Sequence, residues 1–364
     1  MTSTKRILIV STNPFAYDGI SNVITNYHEK ISNSKLKFDF AVSLSSDQGR
    51  LTSIGNIFDT VHFLPDRKQC IYKYIYSFYG IAKKCNYDII HLHGNSGTMT
   101  LDLLIALTSG IKVRIAHSHN TTCSHPLLHK ILKPFLNRLA TFNFACSKGA
   151  GDWLFNGQYL VLNNGIDTDK FSFSNDLRVK HRSALNLQDK TVIGHVGHFS
   201  YQKNHEFIIN VFKEVFERRA DFHLLLIGEG PSLISIVNLI SEYQLVGAVT
   251  ILAKRNDVNE LLSAMDIFVL PSRFEGLPLS GIEAQAAGIP TFVSDAITTE
   301  LDLSETVCFL PIADTKPWVD HIISCKGSSR QSESRKNILL LQKKGYDIAS
   351  NAKILEAKYL SMGE

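Results

Sequence analysis

The chain has 364 residues, 44% hydrophobic and 20% charged, with a formal net charge of +4. That balance excludes a disordered chain, and the charge is too mild to call for nucleic acid by itself. No apolar run approaches the roughly 18 residues of a membrane span. The early run Ile7-Leu8-Ile9-Val10 is too short for a signal-peptide core, and six cysteines without a Cys-x-x-Cys pair do not make a secreted disulfide scaffold. A reduced, cytoplasmic α/β protein is expected.

Short β-branched or aliphatic runs predict strands at 6–11, 38–42, 60–63, 88–91, 112–117 and 142–146. Amphipathic stretches at 20–31, 101–107 and 127–139 predict helices among them. The period lapses over 163–190, where Asn164-Gly165-Ile166-Asp167 collects polar residues. A second series then predicts strands at 191–196, 223–227, 249–252, 267–270, 291–293 and 307–310, with helices at 205–218, 231–243, 258–264 and 279–287. Gly327-Ser328-Ser329 precedes two further helical patterns, 330–343 and 348–362. Strand–helix alternation with near-continuous apolar strands indicates two doubly wound parallel sheets in tandem. Ligands of such sheets sit outside the carboxyl ends of the strands, so the cleft between two of them is the natural place for chemistry.

Charge is uneven between these halves. Residues 1–170 carry 18 Lys+Arg against 11 Asp+Glu, and the remainder 20 against 23. A basic first half fits a domain that faces an anionic surface; scattered solvated lysines fit the same counts equally well.

The motifs fall just after strands. Pro271-Ser272-Arg273-Phe274-Glu275-Gly276-Leu277-Pro278-Leu279-Ser280-Gly281-Ile282-Glu283-Ala284 leads from a strand into a helix. Gly276 permits close backbone approach, Pro278 suits a helix start, and that start offers free N–H groups to a phosphate. Glu275 in the loop and Glu283 inside the helix can each accept two hydrogen bonds from vicinal hydroxyls. A helix cap beside a surface Glu is the bland alternative, and the complete run favours a sugar-and-phosphate site. In Gly194-His195-Val196-Gly197-His198-Phe199-Ser200-Tyr201-Gln202-Lys203-Asn204-His205, Asn204 can cap the next helix and Lys203 can serve as a phosphate counter-charge. A lone Lys near a cap is ordinarily solvated. Gly228-Glu229-Gly230-Pro231 is not Gly-x-Gly-x-x-Gly, which argues against a nicotinamide fingerprint. In the first half, Gly19 in the turn Asn13–Ser21 allows backbone approach to a ligand, or is a plain turn glycine. His91/His93 and His117/His119 each place two histidines on one strand face. A four-histidine metal site is a minor reading, because no acidic or thiolate partner recurs beside them. Single histidines hydrogen-bonding a polyol are preferred, with buried structural histidines the alternative for His91 and His117. The one Asp-x-Asp, Asp167-Thr168-Asp169, reads as a solvated turn.

These residues resemble glycosyltransferase family 4, with the GT-B fold of two facing Rossmann-like domains, especially its bacterial capsule and exopolysaccharide members. Glu275-x7-Glu283 is the most specific part. Asn164-Gly165-Ile166-Asp167 with Phe171, Lys203-Asn204, Gly228-Glu229-Gly230-Pro231, Asp88-Ile89-Ile90-His91-Leu92-His93-Gly94 and Ser118-His119-Asn120 support it. The resemblance implies an acceptor-side domain over 1–168, a nucleotide-sugar domain over 169–345, and a helix in 346–364 that packs back on the first domain. It implies that Glu283 holds the ribose hydroxyls, Lys203 the diphosphate, and Glu275 with the Gly276-Leu277-Pro278-Leu279 backbone the sugar hydroxyls and phosphate. His119 would reach the donor sugar near the reaction centre, and Gly19 and His198 would lie near the diphosphate. Relatives carry Arg at the place of His198 and often Gly-Gly at that of Asp18-Gly19.

The implied enzyme is a retaining, metal-independent glycosyltransferase without a resident cofactor. Its expected donor, on family frequency, is UDP-hexose or UDP-N-acetylhexosamine, and its acceptor a lipid-linked oligosaccharide. Lys203 and a helix N-terminus can stabilise the departing diphosphate without a metal. Neither an epimerase nor a phosphorylase of this scaffold would carry the Glu-x7-Glu loop. A non-catalytic nucleotide-sugar sensor or scaffold is the competing reading, opposed by the intact Lys203, Glu275 and Glu283. Peripheral binding to the inner membrane face is expected through Lys130, Lys133 and Arg138 on 129–139, where Ile131, Leu132, Phe135 and Leu136 interleave and Pro134 can kink the helix.

Overall fold

The computed structural model describes residues 4–16, 18–325 and 329–363. Tyr17 of the first glycine turn and Gly327 and Ser328 of the late Gly-Ser segment lie outside them. The chain divides into two units: the first runs up to Gly165 and resumes at Gly345, and the second spans Ile166–Lys344. The sequence placed these breaks at 168 and 345.

In the first unit β1 (Lys5–Ser11), α1 (Gly19–Lys30), β2 (Leu36–Ser43), α2 (Gln48–Ser53) and β3 (Thr60–Leu64) come first. They are followed by α3 (Ile71–Cys85), β4 (Ile89–Gly94), α4 (Thr100–Thr108), β5 (Val113–Ser118) and α5 (Pro126–Leu139). β6 (Phe142–Ala145), α6 (Lys148–Leu154) and β7 (Leu160–Val161) complete the sheet, whose order is β3-β2-β1-β4-β5-β6-β7 with every pairing parallel.

The second unit holds α7 (Asn175–Ala184), β8 (Thr191–Val196), α8 (His205–Arg218), β9 (Phe222–Ile227), α9 (Leu233–Glu242) and β10 (Val249–Leu252). It continues with α10 (Val258–Ala264), β11 (Ile267–Leu270), α11 (Leu279–Ala286), β12 (Thr291–Ser294), β13 (Val307–Leu310), α12 (Lys316–Ser324) and α13 (Arg330–Lys343). Its parallel sheet runs β10-β9-β8-β11-β12-β13. The last helix, α14 (Ile348–Ser361), belongs to the first unit.

The period of two along the strands decides which helix covers which face. Ile7 and Ile9 of β1 point to one side of the first sheet, where Val23 and Tyr27 of α1 and Ile348, Leu355 and Tyr359 of α14 bury them. Leu8 and Val10 point to the other, under Phe78 of α3, Leu103 of α4 and Leu136 of α5. Each such side chain contributes roughly 1.5–3 kcal/mol by leaving water. α14 is fastened at its end by Lys5, whose ammonium donates to the Leu360 and Met362 carbonyls at 2.6 Å each. Pro134, where a kink or a restart of the helix was open, sits inside α5 without interrupting it. No helix among the described residues is long and apolar enough to cross a membrane.

Both sheets reverse their winding at one place, between β1 and β4 in the first and between β8 and β11 in the second. At such a point adjacent loops leave in opposite directions and open a crevice at the carboxyl ends of the strands.

Candidate functional site

In the second unit, the loops leaving β8 and β11 carry the residues singled out by sequence, and they are tied to each other. The Arg273 amide donates to the Gln202 carbonyl at 2.8 Å. The Asn204 side-chain amide donates to the Pro271 carbonyl at 3.1 Å. Asn204 was expected to cap the following helix; instead it takes a left-handed conformation, φ 58°, and its side chain ties the two loops. Gly228 and Gly230 support the first loop from below with φ of +149° and +152°. A Cβ on Gly228 would collide with the Gly197 carbonyl, and one on Gly230 with the Phe199 backbone, so both positions demand glycine.

On this frame Lys203 and Glu275 meet. The ammonium lies 2.5 Å from the Glu275 carboxylate, with side chains only 16% and 10% exposed. The Ser272 hydroxyl donates to the same carboxylate oxygen at 2.9 Å. The pair is thus largely desolvated, and a cation removed from it would leave an uncompensated charge behind. Pro278 takes the cap position and α11 begins at Leu279 with no described side chain capping it. The Gly281 amide donates to the Pro278 carbonyl at 3.1 Å, and a helix start leaves its other first amides without intrahelical partners. Leu277 and Leu279 are half-buried around the buried Pro278, and a Cβ at Gly276 would meet open space. Glu283 lies one turn into α11. Burial pushes its carboxyl up to about 7, against the pull of Lys170 and Lys203. His198 is exposed, its ring near Gly230.

Gly19 and His119 lie in the first unit. Gly19 opens α1, and Asp18 before it accepts from the Ser21 amide at 2.9 Å. That cap explains why an aspartate stands there: a glycine could not supply it. Asp167 likewise serves its own turn, accepting from the Lys170 amide at 3.1 Å.

The two His-x-His pairs assemble into one column. His91 bonds the Tyr359 hydroxyl through Nδ1 at 2.6 Å and His117 Nδ1 through Nε2 at 3.1 Å. His93 Nδ1 bonds His119 Nε2 at 2.8 Å. Burial holds all four neutral, pushing His119 down to about 3 and the others well below the ordinary range. Ring nitrogens of His91, His93 and His117 lie within 4.8 Å of one another. A metal ion, however, gathers in-plane lone pairs to one point, whereas His91 stacks on His93 and on His117 with interplanar angles of 26° and 11°. Ring-to-ring hydrogen bonding is the chemistry this column supports. His91 and His117 are fully buried structural histidines, which replaces their expected polyol contact; only His119 is half-exposed.

Residues 178–304 match the family described as glycosyl transferases group 1. EpsF of Bacillus subtilis (strain 168), a protein named as a glycosyltransferase, is 29% identical over 318 residues, 83% of this chain and 82% of its own. The UDP-Gal:alpha-D-GlcNAc-diphosphoundecaprenol alpha-1,3-galactosyltransferase of Escherichia coli is 28% identical over 239 residues, 61% of this chain and 62% of its own. Among solved structures, Anabaena HepE in complex with UDP aligns with a TM-score of 0.79 at 16% identity, covering 98% of this chain and 100% of that one. The chain is a glycosyltransferase with the GT-B fold.

The family match of this glycosyltransferase spans Lys203, Glu275 and Glu283 but stops short of Gly19 and His119. Three contacts were not readable from the sequence. Ser272 stood inside the quoted motif, yet only the fold turns its hydroxyl onto Glu275. Lys170 was read as linker, and its influence on Glu283 comes from tertiary placement alone. His93 had a signal, the shared strand face with His91, but its partner on β5 required the strand register.

Proposed function

We propose that this glycosyltransferase moves a sugar from a UDP-hexose or UDP-N-acetylhexosamine to a lipid-linked saccharide, with retention of configuration, in bacterial surface polysaccharide synthesis. The desolvated Lys203–Glu275 pair at the start of α11 carries this reading. A donor diphosphate competes for the ammonium and takes Lys203 from Glu275. The amides of α11 receive the phosphate oxygens, and the freed Glu275 turns to the sugar hydroxyls. Glu283, as carboxylate, accepts from the ribose hydroxyls. Charge on the diphosphate grows as the glycosidic bond breaks, so Lys203 binds the transition state more tightly than the ground state. The acceptor hydroxyl attacks from the face the diphosphate leaves, and His119 is given a hydrogen bond to a sugar hydroxyl. No metal enters this scheme. The names of the relatives, a diphosphoundecaprenol galactosyltransferase and a lipopolysaccharide core biosynthesis mannosyltransferase among them, support the substrate classes.

The acceptor is assigned to a cavity of about 370 Å³ in the first unit, where Arg67 and Lys68 face Ile71, Leu101 and Leu128. Cations beside aliphatic walls suit a phosphate joined to a lipid. α5 borders that cavity and exposes Leu127, Ile131 and Phe135, one turn apart, with Lys130 and Arg138 among them. This stripe is assigned to the anionic inner membrane face. Two residues expected there serve elsewhere: Leu136 is core, and the Lys133 ammonium donates to the Trp153 carbonyl at 2.7 Å.

A panel of UDP-, GDP- and ADP-sugars tests the donor through slow hydrolysis and thermal stabilisation; UDP-sugars are expected to act and the others not. NMR of the product should show an α linkage from an α-linked donor. A β product would remove the retaining mechanism.

A further inference from the structure

His119 has one nitrogen engaged and one open. Its Nε2 is bonded to His93 Nδ1, and its Nδ1 is buried without a hydrogen-bond partner, as is His93 Nε2. A neutral imidazole carries a single proton, so the bond between these rings ties their two tautomers together. If His93 donates through Nδ1, His119 must be protonated at Nδ1 and His93 Nε2 is bare. If His119 donates instead, its Nδ1 is bare and His93 carries an N–H at Nε2.

The surroundings choose between these states. His93 is 2% exposed, at the centre of the column and stacked on both His91 and His119 with ring centroids 4.2 Å and 5.1 Å away. An N–H at its Nε2 would be a buried donor with nothing to receive it, and orphaned buried N–H groups cost more than an unused lone pair. An N–H at His119 Nδ1 is equally unpartnered, but His119 is only partly buried, so a small movement of that ring brings its Nδ1 to water or a ligand oxygen, which the enclosed His93 cannot do. The bare Nε2 is therefore favoured, which makes His93 the donor. His93 is itself immobile: it lies on β4 directly opposite His117 in the strand register, and the His119 amide continues that ladder to the Gly94 carbonyl at 3.0 Å. Ring and backbone of His119 are thus both held from β4.

We infer that His93 is a positioning residue for His119, fixing its ring and its Nδ1–H tautomer so that it presents a neutral hydrogen-bond donor to a sugar hydroxyl or phosphate oxygen. The contact with substrate rests on the role given to His119 above; the tautomer rests on the column alone. The arrangement suits a site that receives an already anionic ligand. A neutral donor can follow the charge that develops on an oxygen without the desolvation cost of a buried imidazolium.

The first test needs no variant. Nitrogen-15 NMR of the histidine-labelled protein, with His119 assigned by comparison with His119→Gln, should show His119 protonated at Nδ1 and bare at Nε2, with and without UDP. Protonation at Nε2 would overturn the inference. The second test is kinetic. His93→Phe should lower kcat roughly ten- to hundred-fold, as loss of an orienting partner does, while leaving Kd for UDP within about two-fold. His93→Asn, whose amide N–H stands near the lost Nδ1–H, should recover part of that turnover. An unchanged kcat in His93→Phe would sink the inference, and a thermal transition matching the parent's, with unchanged circular dichroism, reports whether the first unit of the variant is folded. Full turnover in His119→Ala would overturn the role of His119 itself, whereas Nε2 protonation overturns only the part given to His93.

Discussion

At the scale of single residues, the role proposed for Glu283 would couple nucleotide binding to pH. Its carboxyl, pushed up to about 7, must lose its proton to accept two ribose hydroxyls. UDP affinity should therefore fall as the pH drops below about 7, and calorimetry on Glu283→Gln should give weaker binding with a shallower pH dependence, because only the titration of the UDP phosphate remains. Stability follows the opposite course. Between the ordinary carboxylate pKa and about 7 the folded chain keeps a proton that the unfolded chain has lost, so this group lowers stability as pH rises through that window. Glu283→Gln should accordingly gain in melting temperature relative to the parent at pH 8 and not at pH 4. Lys203→Ala should weaken UDP binding and lower kcat, costing roughly 2–4 kcal/mol of transition-state stabilisation. His119→Ala should leave UDP affinity nearly intact while slowing turnover. If His119→Ala abolished UDP binding and Glu283→Ala did not, the donor would belong to the first unit.

At the scale of elements, α5 tests the membrane assignment. Vesicle co-sedimentation should require anionic lipid and weaken with salt, and Ile131→Ser with Phe135→Ser should reduce it without lowering the melting temperature, because both side chains are more than half exposed. Equal binding to neutral vesicles would count against the idea. The elements also show what the sequence could convey. β8, β10, β11 and β13 coincide with their predicted bounds, because short runs rich in aliphatic residues between turn signals leave little freedom. α3 escaped notice: Ile71-Tyr72-Lys73-Tyr74-Ile75-Tyr76 alternates like a strand and becomes helical by packing Tyr74 and Phe78 onto the sheet. α7 lay in the stretch read as a lapse, its buried side being His181 and Arg182, not an apolar stripe. The motifs after β8 and β11 were legible because each is contiguous in sequence, whereas the contact between Lys203 and Glu275 was not. The histidine column was legible only as two pairs, since what joins them is the register of β4 against β5.

At the scale of the molecule, α14 connects the column to the core. Tyr359 is fully buried and ends the column with its bond to His91. Tyr359→Phe removes that partner at nearly constant volume and should destabilise the first unit by about 1–3 kcal/mol, read as an earlier thermal transition. An unchanged melting curve would show that the bond contributes nothing. The placement of α14 also orders events during synthesis. Residues 166–344 form one uninterrupted unit and can close as soon as they emerge. The sheet encoded first still lacks Ile348, Leu355 and Tyr359 at that moment, and β1 waits with an open apolar face for a helix made after the entire second unit. The unit made earlier is thus the later to mature, and chaperone demand should fall on that exposed face.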